Sequence, residues 1–214
     1  RQKQWPDSRS ALLAAHRPQK ASELEPGSPA RCRLAYDELL ANQLALGIVR
    51  QKIKKQAGRE IKGNGLLRKK TLESLPFKLT GAQERVLQEI FSDQGSGFRM
   101  LRLLQGDVGS GKTIVALLTM LNAVECGTQA AIMAPTEILA KQHYDTIAPL
   151  CENIGIRAEL LTGRIKGKNR KLLLDDLESG KIDILIGTHA LFQEEVKFRD
   201  LACVIVDEQH RFGV

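Results

Sequence analysis

"LLQGDVGSGKT", from Leu103 to Thr113, is the stretch of this sequence that decides the fold. It matches the pattern G-x-x-x-x-G-K-[ST], whose glycines let the backbone curl around phosphate groups at the positive N-terminus of a helix. In that pattern the lysine reaches the β- and γ-phosphates and the hydroxyl binds Mg²⁺. A strand should precede the pattern and a helix should follow it, and "RMLRLL" and "TIVALLTMLNAV" stand in those places. We therefore predict a phosphate loop formed by Gly106, Asp107, Val108, Gly109, Ser110, Gly111, Lys112 and Thr113.

Two adjacent carboxylates, Asp207 and Glu208, follow an apolar run in the last stretch of the sequence, "CVIVDEQHRFGV" (Cys203–Val214). In phosphoryl-transfer sites one carboxylate orients the hydrated Mg²⁺, and a neighbouring one can polarise the attacking water. We assign the first role to Asp207, which would share the metal with Thr113, and the second to Glu208. With Lys112 these acids form the predicted catalytic set.

The sequence between these motifs alternates strand-like and amphipathic helical segments. This alternation predicts an α/β fold of the P-loop (RecA-like) class, a mostly parallel sheet with helices on both faces. Before Pro76 the pattern is helical, with helices expected over Ser8–Ala15 and from Arg33 to about Gln56, and a short one in "LLRKKTLESLPF". We therefore predict two parts, a basic α-helical linker region over residues 1–75 and an α/β domain over residues 76–214.

Composition narrows the class of protein. Of 214 residues, 43% are hydrophobic and 27% charged, which is typical of a globular chain. No apolar run suits a membrane span or a signal peptide, so no membrane partner is expected. The four cysteines lack metal or disulfide spacing and are expected to be free thiols in a reducing cytoplasm. Residues 1–75 hold 16 Lys+Arg against 7 Asp+Glu, which indicates either a polyanionic partner or a solvated helical face.

Further strings follow in order and carry a family resemblance: "LPFKLTGAQ" (Leu75–Gln83), "APTEILAKQHY" (Ala134–Tyr144), "DILIGTHAL" (Asp183–Leu191) and "DEQH". With the phosphate loop they resemble superfamily 2 helicases and translocases. Within that superfamily the chain is similar to the RecG family, bacterial ATP-dependent DNA helicases that remodel forks and branched junctions. The transcription-repair coupling factors, which translocate on double-stranded DNA, share "HRFGV" but have an acid in place of Gln209, and they stay an alternative.

The resemblance implies ATP and Mg²⁺ as the bound groups and assigns further residues to them. Gln83 would contact the adenine edge with Phe77 nearby, and His210 would couple the ATP state to the DNA state. From the residues alone, Thr80 and Gln83 are better interpreted as a capping box for the next helix.

The resemblance also implies a track for the DNA backbone at strand ends. Pro135 and Thr136 would contact it from the start of a helix, although they are also an ordinary helix N-terminal signal. Two further loops would contribute Thr162, Gly163, Arg164, Thr188 and His189. The neighbouring "RIKGKNRK" (Arg164–Lys171) either contacts DNA or is only the charged, solvent-exposed start of a helix, and both interpretations stay open.

The resemblance further implies that the chain is a portion of a larger motor, ending after D-E-Q-H within the first motor domain. RecG-like enzymes also carry a wedge domain and a second motor domain with an arginine finger. Such a finger accelerates phosphoryl transfer by about 10³–10⁵. We therefore expect part of an ATP-dependent DNA helicase that is nearly inactive alone. As a whole it would be a monomer in the bacterial cytoplasm, acting on branched DNA.

Two other classes of function remain as rivals. A P-loop kinase or GTPase would use the same loop but would lack "APTEILA" and D-E-Q-H. A nucleotide-gated DNA-binding module would place most of its DNA affinity in the basic residues 1–75. Comparing the DNA affinities of residues 1–75 and 76–214 across a salt series separates this module from a motor domain. Each phosphate contact adds to the salt slope, so a binding module would carry most of that slope in residues 1–75.

Overall fold

The computed structural model of the protein describes residues 5–54 and 56–208, except for the side chains of residues 50–54. The chain divides into two compact units, Arg1–Gln56 and Ala57–Val214. Within the described residues, no helix combines the length and the apolar character that crossing a membrane requires.

The first unit is helical, as predicted. It contains α1 (Ser8–His16), a 3-10 turn (Ala21–Leu24) and α2 (Pro29–Lys54). Asp7 begins α1, because its carboxylate accepts hydrogen bonds from two main-chain N–H groups of the first turn. Just before α1, the Trp5 ring packs on that of Tyr36 in α2, with ring centroids 5.1 Å apart.

The second unit alternates helices and strands along the chain. Its helices and strands are α3 (Leu66–Ser74), α4 (Gly81–Gln94), α5 (Lys112–Val124), β1 (Gln129–Met133), α6 (Glu137–Glu152), β2 (Ala158–Leu161), α7 (Gly167–Glu178), β3 (Ile184–Gly187) and β4 (Leu201–Val206). Within residues 57–208 these four strands form one sheet in the order β2-β3-β1-β4, and every pair is parallel. The predicted α/β class with a parallel sheet is confirmed.

Helices cover both faces of this sheet, and β3 shows how. Successive strand residues point to opposite faces. Ile184 and Ile186 therefore join the core beneath α5 and α6, whereas Leu185 joins a second cluster with Leu173 and Leu177 of α7. Because all four residues of β3 are buried, the strand is continuously apolar, as expected for an interior parallel strand.

The prediction of a strand over "RMLRLL" (residues 99–104) is wrong, since this segment is not part of the sheet. A strand needs a hydrogen-bonded neighbour, and the nearest ladder contact is one isolated antiparallel bridge between Ala57 and Phe98. Ion pairs hold the segment against α4 instead, from Arg102 to Glu89 and Asp93, each at 2.7 Å. Alternating leucines are therefore not sufficient to predict a strand here.

Residues 57–75 belong to the same compact unit as the sheet. The sequence placed the division after residue 75, whereas side chains at the end of α5 bind the earlier segment. Asn122 donates to the Ile61 carbonyl at 3.1 Å, and the buried Glu125 accepts from Gly65 N at 2.8 Å. Hydrophobic patterning did not reveal these contacts because they are polar and far apart in sequence. The extent of the α/β domain as a separate domain stays a prediction.

Candidate functional site

The phosphate loop adopts a conformation that its glycines make possible. Gly109 and Gly111 have φ angles of 79° and 78°, in the left-handed region that side chains disfavour. A Cβ atom at Gly111 would also collide with Nε2 of Gln83. Helix α5 begins at the next residue, Lys112, so the loop leads directly into a helix N-terminus as the motif requires.

Lys112 folds back over the loop. Its ammonium donates to the carbonyl oxygens of Gly106 and Asp107, both at 2.8 Å. The positive charge therefore lies in the concavity of the loop, where phosphate oxygens could replace the two carbonyls as acceptors. This placement suits a triphosphate tail.

The phosphate loop lies at the edge of the sheet where the strands end. Helix α5 is 13 residues long, or about 20 Å, and packs on β1 and β4. A short turn joins its C-terminus to the start of β1, so α5 runs antiparallel to the strands and its N-terminus lies at their carboxyl ends. Open α/β sheets bind ligands at this edge.

Asp207 lies at the same edge, directly after β4. Its main-chain N–H donates to the Met133 carbonyl at 2.8 Å, which fixes it beside the end of β1. Its carboxylate oxygen Oδ2 lies 2.8 Å from Nε2 of His143 on α6. The next residue, Glu208, has a φ of 51°, the one positive value among non-glycine residues in the described structure. Backbone strain of this kind is concentrated at functional sites.

The residues predicted to hold Mg²⁺ fit that ion chemically. Thr113 and Asp207 supply a hydroxyl and a carboxylate, the hard oxygen ligands that Mg²⁺ prefers. In the described part of the chain, no group of three or more His, Cys, Asp or Glu side chains could hold a metal by itself. Mg²⁺ usually keeps several waters and takes one or two protein ligands together with phosphate oxygens, which one hydroxyl and one carboxylate would match.

Gln83 forms the capping box and also contacts the phosphate loop. Its Oε1 accepts from Thr80 N at 2.9 Å, and its main-chain N–H donates to Thr80 Oγ1 at 3.3 Å. Its Nε2 donates to the Ser110 carbonyl at 2.9 Å. The capping prediction is confirmed, and the adenine contact of Gln83 stays a prediction. Phe77, its predicted aromatic neighbour, is half exposed just before α4.

The loops predicted to contact DNA follow three neighbouring parallel strands. Because those strands are parallel, their loops meet at the edge that also holds Asp207. The loops contain Pro135 and Thr136 after β1, Thr162, Gly163 and Arg164 after β2, and Thr188 and His189 after β3.

These DNA-loop residues differ in exposure. Thr136, Gly163, Arg164 and His189 are exposed, whereas the Thr162 and Thr188 side chains are buried. A DNA contact from the two buried threonines would have to come from their main chain.

Sequence reasoning missed two residues that connect these loops. Glu137, the first residue of α6, accepts from Gly163 N at 3.1 Å and pairs with Arg164 Nε at 2.8 Å. His143 contacts Asp207. In the sequence, an acid in the first turn of a helix is what the helix dipole favours anywhere, and a histidine on an amphipathic helix carries no signal. The predicted role of His210 concerns a residue that lies outside the described residues.

Comparison with known proteins defines the class. The profile of the DEAD/DEAH box helicase family matches residues 80–214, more than half of the chain. The chain therefore belongs to the DEAD/DEAH box helicase family.

Within that class the chain is similar to RecG. It is 49% identical over 212 residues to the ATP-dependent DNA helicase RecG of Bacillus subtilis (strain 168), covering 98% of this chain and 30% of that protein. It is 49% identical over 182 residues to that of Aquifex aeolicus (strain VF5), covering 85% and 23%.

A solved structure of RecG bound to a three-way DNA junction matches with a TM-score of 0.80 and 46% identity, covering 95% of this chain and 27% of that one. The predicted resemblance to RecG is confirmed. The chain spans 30% or less of the length of these relatives.

Proposed function

We propose that the chain is the ATP-binding part of a RecG-like DNA helicase that couples ATP hydrolysis to the remodelling of branched DNA. One observation carries the proposal. The phosphate loop, Asp207 and the three candidate DNA loops lie at one edge of a single four-stranded parallel sheet. A change at the nucleotide would therefore occur at the same edge of the sheet as the surface that would contact DNA.

The proposed work of each residue follows from its placement. The loop amides and Lys112 bind the triphosphate, and Thr113 and Asp207 hold Mg²⁺ between them. When bound, Mg²⁺ neutralises the charge that develops on the β- and γ-phosphates. Glu208 accepts a hydrogen bond from the attacking water and turns it in line with the γ-phosphate. Gln83 contacts the adenine while its side-chain Nε2 donates to the Ser110 carbonyl of the phosphate loop.

DNA would bind across the exposed loop residues through its backbone. Arg164 is 86% exposed and supplies a guanidinium, and the start of α6 supplies N–H donors. The relative solved on a three-way junction supports a branched DNA as the partner. The relatives reported above are RecG helicases, which favours this proposal over a coupling-factor type of translocase.

A titration of three-way junction DNA across a salt series tests where the DNA binds. We expect Arg164→Ala to weaken binding by about fivefold at low salt and to lower the salt slope by about 1, because it removes one phosphate contact. The control is Arg17→Ala, which removes an exposed arginine from the first unit. If Arg17→Ala weakens binding and Arg164→Ala does not, the chain is instead a binding module whose basic residues 1–75 hold the DNA.

A related prediction concerns Glu137. The change Glu137→Gln keeps an oxygen that accepts from Gly163 N but removes the charge opposite Arg164. Because Arg164 is then released to pair with phosphate, we expect junction DNA to bind about threefold more tightly. This gain should vanish in the Arg164→Ala background. Glu178→Gln, at the exposed end of α7, is the control for net charge. Equal gains in both variants would assign the effect to net charge alone.

The expectation that this chain alone hydrolyses ATP very slowly is part of the same proposal. A steady-state ATPase assay with branched DNA measures it. Robust DNA-stimulated turnover that is lost in Lys112→Ala would contradict the expectation of slow hydrolysis, although it would support the ATP site.

A further inference from the structure

The Asp207 carboxylate and main chain are both held by the same stretch of the chain. The main-chain N–H donates to Met133, the last residue of β1, and the side chain contacts His143 on α6. Three residues separate β1 from α6, and they include Pro135 and Thr136, the predicted DNA contacts. One continuous β1-loop-α6 segment therefore fixes the proposed Mg²⁺ ligand and presents the first DNA loop.

His143 faces the sheet. It lies on the same stripe of α6 as Ala140, Ile147 and Cys151, which are fully buried, and its side chain is only 14% exposed. Nε2 of the ring lies 2.8 Å from Oδ2 of Asp207. In the tautomer that carries its proton on Nε2, the ring donates a hydrogen bond to this carboxylate oxygen. The contact involves one carboxylate oxygen, Oδ2.

Helix α6 connects the contact between His143 and Asp207 to the loop that is predicted to bind DNA. Thr136 caps the helix by accepting from Leu139 N at 3.2 Å, and its side chain is exposed. His143 follows Thr136 by seven residues, which is about two turns or roughly 10 Å, on the same side of the helix. A displacement of α6 that follows from DNA contact at Thr136 would therefore move the Asp207 carboxylate through His143.

We propose that His143 is a positioning residue, which orients Asp207 for Mg²⁺ and couples the DNA loop at the start of α6 to the metal site. The inference rests on the proposed function and adds a residue to it. His143 does not touch nucleotide or metal and acts through Asp207. Hydrogen-bond partners of a metal-binding carboxylate change metal affinity by about 10- to 100-fold when they are removed.

Binding of Mn²⁺ in the presence of ADP, followed by the electron paramagnetic resonance signal of the free ion, tests this role in the full chain. We expect His143→Ala to raise the dissociation constant of Mn²⁺ about tenfold, while binding of ADP without metal stays unchanged. His143→Gln should restore most of the affinity, since its amide N–H₂ can donate to the same oxygen. Gln142→Ala, the exposed neighbour on α6, is the matched control and should behave as wild type.

The outcomes separate this inference from the proposed function. If wild type holds Mn²⁺·ADP and loses it in Asp207→Ala, yet His143→Ala matches wild type within twofold, the positioning role is overturned and the ATP site stands. If wild type shows no Mn²⁺ binding that depends on Thr113 and Asp207, the proposed function itself fails. If His143→Gln is as weak as His143→Ala while both remain folded, hydrogen-bond positioning is also overturned.

Coupling to DNA gives a second readout. Saturating three-way junction DNA should change the Mn²⁺ dissociation constant of wild type and leave that of His143→Ala unaltered, because linkage between two sites is lost when the residue that joins them is removed. An equal change in the two proteins, or none in wild type, would overturn the coupling.

Discussion

Replacing Lys112 by alanine is expected to weaken the binding of Mg·ATP to this chain by about 100-fold. The structure places the ammonium within the loop, 2.8 Å from the carbonyl oxygens of Gly106 and Asp107. Phosphate oxygens would replace these acceptors. A hydrogen bond to a charged group contributes about 1.5–3 kcal/mol, and each 1.4 kcal/mol is tenfold in affinity. Isothermal titration of a non-hydrolysable ATP analogue in the presence of Mg²⁺ measures the change.

The control for this substitution is Lys181→Ala. Lys181 lies just after α7, at the opposite edge of the sheet, where it pairs with Asp176 at 3.1 Å. The substitution Lys181→Ala removes the same charge from the protein but leaves the phosphate loop unchanged, so we expect the affinity for nucleotide to remain within twofold of wild type. A Lys112→Ala protein that is folded and binds the analogue as wild type does would contradict the assignment of the phosphate loop.

Replacing Glu125 by alanine is expected to destabilise the unit of residues 57–208 by about 3 kcal/mol. The Glu125 side chain is 1% exposed. It accepts from Gly65 N at 2.8 Å, from Arg68 N at 3.0 Å and from Arg68 Nε at 3.1 Å. The Arg68 guanidinium in turn lies 4.3 Å from the centre of the Phe91 ring. Alanine would leave two main-chain donors without their acceptor and would remove the countercharge of the mostly buried Arg68 guanidinium, which would keep its hydrogen bond to the Gly63 carbonyl at 3.1 Å. Both changes are costly because buried polar groups that lose a partner do not regain full hydration.

Urea unfolding followed by the circular dichroism of the helices measures this loss. The matched control is Glu73→Ala, which removes an exposed glutamate 3.9 Å from Lys69 on α3. Exposed pairs contribute about 0–1 kcal/mol, so the control should change stability little. Equal effects of the two substitutions would show that Glu125 does not hold residues 57–75 to α5.

Much of this fold was predictable because its signals are local. The phosphate loop carries its glycines, lysine and threonine within eight residues, and the alternating segments define a parallel sheet. Helix starts were also local, since Thr80 and Thr136 cap helices through residues three positions away.

What could not be predicted depends on contacts between distant residues. Glu125 meets Gly65, and His143 meets Asp207, across separations of 60 and 64 residues. Nothing in the neighbouring sequence marks these side chains, since only the fold brings them together. The prediction of a strand over residues 99–104 was wrong for the same reason, because a strand needs a hydrogen-bonded partner that the segment itself does not specify. Glu137 is, by its sequence position, an ordinary acid in the first turn of a helix, and only the fold brings it beside Gly163 and Arg164 in the loop after β2.

Hydrogen–deuterium exchange with and without Mg·ADP tests the central claim most directly, namely that this sheet edge is an ATP site. Main-chain N–H groups of residues 106–113 donate to phosphates in the proposed complex, so their exchange should slow markedly when Mg·ADP binds. The same amides should show no protection in Lys112→Ala at that ligand concentration. Protection that is absent from residues 106–113, or that appears there equally in Lys112→Ala, would contradict the account.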